Sequence, residues 1–138
     1  MKLTVLTLFV NDQDQALRFY VDRLGFTMTE DKRLGDYRWL LVAASRSEDV
    51  ALNLELARTP EQQALVGKQG GGKPMFALAT DDCRRDFQAM KARGVTFDSE
   101  PRTMPYGTGV TQRPVRQQDL SQRGARRCWT GALTGPAG

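Results

Sequence analysis

Asn53 and Glu55 are the side chains best placed to do chemistry in this chain. They alternate with Leu52, Leu54 and Leu56 in a run from Val50 to Leu56, so in an extended strand the amide and the carboxylate share one face and the leucines take the other. Polar groups on an inner sheet face are costly if dry, so the pair either lines a wet cleft or lies on a solvated strand face. Glu55 is the one candidate for a catalytic carboxylate, and no catalytic set is assigned around it. The 138 residues contain no histidine. That removes Ser-His and Cys-His nucleophile pairs and histidine-based zinc or iron sites, and a second copy of the chain cannot restore them. Cys83 and Cys128 lack metal-motif spacing and read as reduced thiols. Gly67 to Lys73 satisfies the Gly-x-x-x-x-Gly-Lys part of a phosphate loop. However, Pro74 stands where the magnesium-binding hydroxyl belongs, and a strand pattern follows where that motif needs a helix, so the segment reads as a flexible linker.

The elements that must position these groups occur twice. A β-branched run from Leu3 to Val10 meets Asn11-Asp12, a helical pattern carrying Ala16, Leu17, Tyr20 and Leu24 follows, and Gly25-Phe26-Thr27 restarts an extended run. Asp12 is a helix N-cap candidate and Gly25 a stop. Extended runs Phe26 to Glu30, Tyr37 to Ala44 and Val50 to Leu56 complete a strand-helix-three-strand unit. Met75 to Thr80, Asp81-Asp82, a helix with Cys83, Phe87 and Met90 on one side, and Gly94-Val95-Thr96 repeat the opening, with Asp12 to Gly25 spaced as Asp81 to Gly94. Val95 to Asp98 and Gly107 to Gln112 read as further strands. Two such modules joined by a linker commonly build a ligand cleft.

With 40% hydrophobic and 26% charged residues the chain is composed like one globular domain. No apolar run approaches the ~20 residues of a membrane span, and a cytoplasmic protein is expected. The net charge of +4 is carried by residues 112–138, where Arg113, Arg116, Arg123, Arg126 and Arg127 face Asp119 alone. The remaining body is balanced, which gives no support for a nucleic-acid or membrane partner.

The run Val10-Asn11-Asp12, Ala16-Leu17-Arg18-Phe19-Tyr20, Leu24-Gly25-Phe26 resembles the opening of the vicinal oxygen chelate superfamily, which includes glyoxalase I, bleomycin-resistance proteins and extradiol dioxygenases. The resemblance covers residues 1 to about 111. It implies an α+β fold of paired βαβββ modules forming an open cup: module one 1–57, linker 58–73 and module two 74–111, with 112–138 as an atypical basic tail expected to be disordered. It does not imply one reaction. The metal ligands of the family's enzymes would fall at Val5, on the fourth strand at Asn53 or Glu55, at Met75, and on an eighth strand that is not recognisable. Two of these are apolar. The implied function is binding of a small organic molecule, without metal or other cofactor, in a homodimer. The alternatives are a metal-dependent lyase, isomerase or dioxygenase using Glu55, and a non-catalytic interaction module. Candidate ligand-binding residues are Thr7, Phe9, Trp39, Asn53, Glu55, Met75 and Tyr106. Phe9 and Trp39 read equally as core aromatics, and Phe19, Tyr20 and Phe26 as core.

The resemblance also implies an Asp-Pro-Tyr-Gly-Asn-like turn shortly after Val110, leading into the last strand. The chain instead reads Gln112-Arg113-Pro114-Val115-Arg116-Gln117-Gln118-Asp119. Permitted codons for these residues, read one base later, give Asp-Pro-Tyr-Gly-Asn. A single-base shift near codon 112 is therefore expected to have replaced the natural C-terminus, removing the last strand and leaving its neighbour as an open edge.

Overall fold

The computed structural model describes residues 1–44, 50–97, 99–105, 107–111 and 131–135. Strand β1 (Val5–Val10) leads to helix α1 (Gln13–Arg18), which continues as a π-helical turn over Phe19–Arg23. Strands β2 (Thr27–Leu34), β3 (Tyr37–Ala43) and β4 (Ala51–Leu56) follow. A short helix α2 (Pro60–Leu65) precedes the second unit of β5 (Phe76–Ala79), α3 (Cys83–Ala92), β6 (Arg102–Met104), β7 (Gly107–Thr111) and β8 (Gly131–Gly135). Each unit forms a mixed sheet of the same order, β1-β4-β3-β2 and β5-β8-β7-β6, with the first pair parallel and the others antiparallel. This is the expected α+β architecture of paired βαβββ modules.

The last strand is not missing. Residues 131–135 fill its slot, pairing Leu78 with Leu133 on one side and Val110 with Leu133 on the other, so β7 is not an open edge. The proposed frame change near codon 112 and Cys128 lie outside the described residues. Val95 to Asp98, expected as a strand, is not one where it is described. Val95 is buried and its amide donates to the Met90 carbonyl, and the Phe97 ring packs on Phe87 at 4.7 Å between centroids. These side chains are used for packing beneath α3, and pairing starts only at Arg102. The expected linker is more ordered than its composition suggests. Thr59 and Gln62 form a reciprocal capping box on α2 with Pro60 in its first turn. The amides of Lys68, Gly71 and Lys73 bond to carbonyls in successive turns, so they are committed and do not form a phosphate cradle.

Asp12 caps α1 as expected, accepting from the Gln15 amide. In the second module the cap is Asp82, which accepts from the Arg85 amide. Asp12 and Asp82, not Asp12 and Asp81, are therefore the equivalent positions, and the first module has one residue more before its glycine. The π-helical turn absorbs that residue. Gly25 and Gly94 both have positive φ, near 81° and 89°. The helix ends meet there: Arg93 Nε donates to the Arg23 carbonyl at 2.7 Å, and the Arg93 and Arg23 guanidinium groups each lie beside the other module's glycine.

The core lies between sheets and helices. Leu8, Val10, Leu40, Val42, Leu52 and Leu54 join Ala16, Phe19, Tyr20 and Leu24, and the same cluster extends to Cys83, Phe87, Met90 and Val110. Arg38 fixes the start of α1 to the sheet. It makes two bonds to the Asp31 carboxylate, at 2.9 and 2.8 Å, and one to Asp14 at 2.7 Å. Gln13 Nε2 reaches the Arg38 and Leu54 carbonyls.

Candidate functional site

The leucines of β4 face the helices, so alternation turns Ala51, Asn53 and Glu55 to the opposite, inner face. Register carries that face across the sheet. Thr7 pairs with Asn53 and Phe9 with Glu55 on β1, and Leu41 pairs with Asn53 on β3. Leu41, Ala43 and Ala51 form a second apolar cluster there, with Val5 and Trp39 packed against it. Next to it lies a polar group. The Glu55 carboxylate oxygen Oε2 accepts from Asn53 Nδ2 and from the Tyr37 hydroxyl, both at 3.0 Å. Burial, and then the adjacent Glu55 carboxylate, push the Tyr37 phenol above its ordinary value, so it stays a donor at neutral pH.

Asn53 is only 3% exposed. With Nδ2 committed to Glu55, its Oδ1 is buried without a hydrogen-bond partner among the described residues. Such an acceptor costs about 1–3 kcal/mol, a cost that a hydrogen-bond donor from outside the chain removes.

Trp39 sits on the same face two residues from Tyr37, and its Nε1 donates to Glu30 Oε2 at 2.9 Å. Glu30 reaches the inner face because of a β-bulge. Met28 pairs with Val42, but Glu30 pairs with Leu41, so one extra residue shifts the carboxylate from the helix side to the inner side. Lys32 approaches the same Glu30 oxygen at 3.3 Å. Tyr37 and Glu30 were not among the sequence candidates. The alternation of Tyr37, Trp39 and Leu41 was a usable signal for the first. Nothing in local sequence marks the bulge that brings in the second.

Of the sequence candidates, Trp39, Asn53 and Glu55 are brought together, with Phe9 half-buried opposite Glu55 and Thr7 exposed opposite Asn53. Both β1 residues are also tied to the chain between modules: Gln69 accepts from the Phe9 amide and donates to the Thr7 carbonyl, closing the free edge of β1. Met75 is not part of this group. It precedes β5 and packs against the main core. Tyr106 lies outside the described residues. A groove of about 430 Å³ lined by Phe87, Lys91, Phe97 and Glu100 among others lies beside α3, on the helix side of module two, and contains none of the candidates.

The residues at the implied metal positions do not suit a divalent ion. Val5 belongs to the apolar cluster and Met75 to the core. Glu55 and Asn53 supply one carboxylate and one amide, already bonded to each other. Among the described residues no group of three or more Cys, Asp or Glu side chains converges as a metal site, and no helix is long and apolar enough to cross a membrane.

Comparison with known proteins agrees with this architecture. The chain is 40% identical over 105 residues to an uncharacterized protein of Shewanella frigidimarina, covering 75% of this chain and 78% of that one. It is 38% identical over 108 residues to the uncharacterized protein YurT of Bacillus subtilis, covering 75% and 84%. Among solved structures it resembles UcmS2, with a TM-score of 0.77 at 26% identity over 97% of both chains. It also resembles TnmS3, an antibiotic binding protein from Streptomyces sp. CB03234, with a TM-score of 0.72 at 24% identity over 99% and 96%. Glyoxalase I from Zea mays shares the fold, with a TM-score of 0.67 at 14% identity, and this chain covers 47% of it. Residues 2–121 match the Glyoxalase/Bleomycin resistance protein/Dioxygenase superfamily, to which this chain belongs.

Proposed function

We propose that this chain binds a small organic molecule on the inner face of its first module, without a metal, as a homodimer. The observation that carries this reading is Asn53 Oδ1, a buried acceptor with no donor, standing between an apolar cluster and the Tyr37–Glu55 pair. An apolar surface with a few oriented polar groups is what a small-molecule site requires. A fold shared with an antibiotic binding protein is consistent with it. Glu55 is placed to recognise a donor; with no second acid or base assigned beside it, binding rather than catalysis is the reading it supports.

The test is a thermal-shift panel of planar aromatic compounds and thiol conjugates on the full chain. A ligand at a hundred times its Kd adds about 2.7 kcal/mol of stability. Asn53→Leu is expected to fold and lose the shift. No shift from any compound favours an interaction module instead, and metal retained after dialysis favours the metal-dependent alternative.

On the codon reading alone we also propose that the basic tail is out of frame, although residues 131–135 still occupy the slot of the last strand. Sequencing the source gene across codons 105–138 decides it. A neighbouring frame encoding Asp-Pro-Tyr-Gly-Asn supports the proposal, and no such open frame rejects it.

A further inference from the structure

We infer that the ligand of the inner face is a flat organic cation. This rests on the reading of that face as the binding surface, and it is carried by a different observation: its two largest rings are both tethered by carboxylates. Tyr37 and Trp39 lie side by side on β3. The Tyr37 hydroxyl is held from β4 by Glu55 at 3.0 Å, and the Trp39 indole N–H is held from β2 by Glu30 at 2.9 Å. Each bond fixes the edge of a ring and leaves it electron-rich, since the donated proton points at a negative charge. An aromatic face in that state attracts a cation lying within about 6 Å of its centroid.

The charges on the face have the same sense. Along the four strands the inner side carries Glu30 and Glu55 against Lys32 alone, and Lys32 is spent on Glu30 at 3.3 Å. Among the described residues Glu55 has no cationic partner; both of its bonds there come from neutral donors. A half-buried carboxylate facing neutral donors has unused attraction for a positive charge. The apolar cluster of Leu41, Ala43, Ala51 and Val5 beside the rings suits the flat body of such a molecule.

The probes are N-methylquinolinium, neutral quinoline and quinoline-4-carboxylate, titrated into the full chain at neutral pH by calorimetry. The cation is expected to bind at least about tenfold more tightly than quinoline, and the carboxylate least well. Glu55→Gln and Glu30→Gln keep the shape and the hydrogen-bond acceptors of the face, and together they are expected to abolish the preference, so that the cation binds the double variant no more than about twofold better than quinoline does. Equal binding of cation and neutral probe, or a preference that survives both substitutions, overturns the inference and leaves the binding surface standing. Absence of binding by all three at millimolar concentration removes the surface and the inference with it.

Discussion

The same topology carries different residues on the inner faces of its two first strands, β1 and β5. Counting from the equivalent caps Asp12 and Asp82, Thr7 and Phe9 of β1 correspond to Ala77 and Ala79 of β5, both exposed. The first module adds Asn53, Glu55, Tyr37 and Trp39 to that face. On their helix sides the modules are alike: Tyr20 packs with Phe19 and Phe26 in one, and Phe87 with Phe97 in the other. What is common to the halves is therefore the packing that folds them, and what differs at the described positions is the set of side chains on the inner face. This separation is expected physically, because a sheet with one face committed to helices can vary the other at little cost to stability.

The largest effect that would break the comparison is in the core. Tyr20→Ala is expected to cost about 4 kcal/mol and Phe87→Ala about 3 kcal/mol, measured by urea unfolding. Because both rings belong to one continuous cluster, each variant should still unfold in a single transition. Two separate transitions would show that the modules are independent.

Arg38→Ala is next, at about 2 kcal/mol, below the range for a fully buried pair because Asp14 is largely exposed. The Arg38 guanidinium holds the Asp31 and Asp14 carboxyls below their ordinary value, through its hydrogen bonds first and its charge as well. Since their folded values are depressed, the stabilisation is fully present above the ordinary aspartate value near 3.8 and is lost as pH falls through the folded values. The difference in stability between Arg38→Ala and the parent should therefore shrink in acid. A difference independent of pH would assign Arg38 a packing role only.

Smaller still, Gln69→Ala should cost about 1 kcal/mol and speed hydrogen exchange at the Phe9 amide. Unchanged exchange would mean that the edge of β1 is closed by something other than the Gln69 amide. Finally, Asn53→Leu should change stability by no more than about 1 kcal/mol in either direction, because it removes a donor to Glu55 and an unsatisfied acceptor together. A loss as large as that of Phe87→Ala would make Asn53 a structural residue.

Much of this was open to reading before the fold was known. Alternation in Val50 to Leu56 put Asn53 and Glu55 on one face and the leucines on the other, and the helical spacing of Leu17, Tyr20 and Leu24 placed α1 against the sheet. The repeat of capped helix and positive-φ glycine revealed two modules, although the adjacent aspartates Asp81 and Asp82 hid the true equivalence by one residue. Where reading failed, the deciding interaction was distant. Val95 to Phe97 has strand character, but packing against Phe87 and Met90 takes those side chains first. Met75 holds a position like that of Val5, yet it lies before its strand and turns to the core.

By itself the sequence determined periodicity, caps, the absence of histidine and the family, because these depend on residues close along the chain or on composition. The tertiary structure alone decided which partners the inner-face groups meet: Tyr37 and Asn53 on Glu55, and Trp39 on Glu30 through a one-residue bulge. Register between strands is set by packing over the whole sheet, and a shift of one residue moves every side chain to the other face.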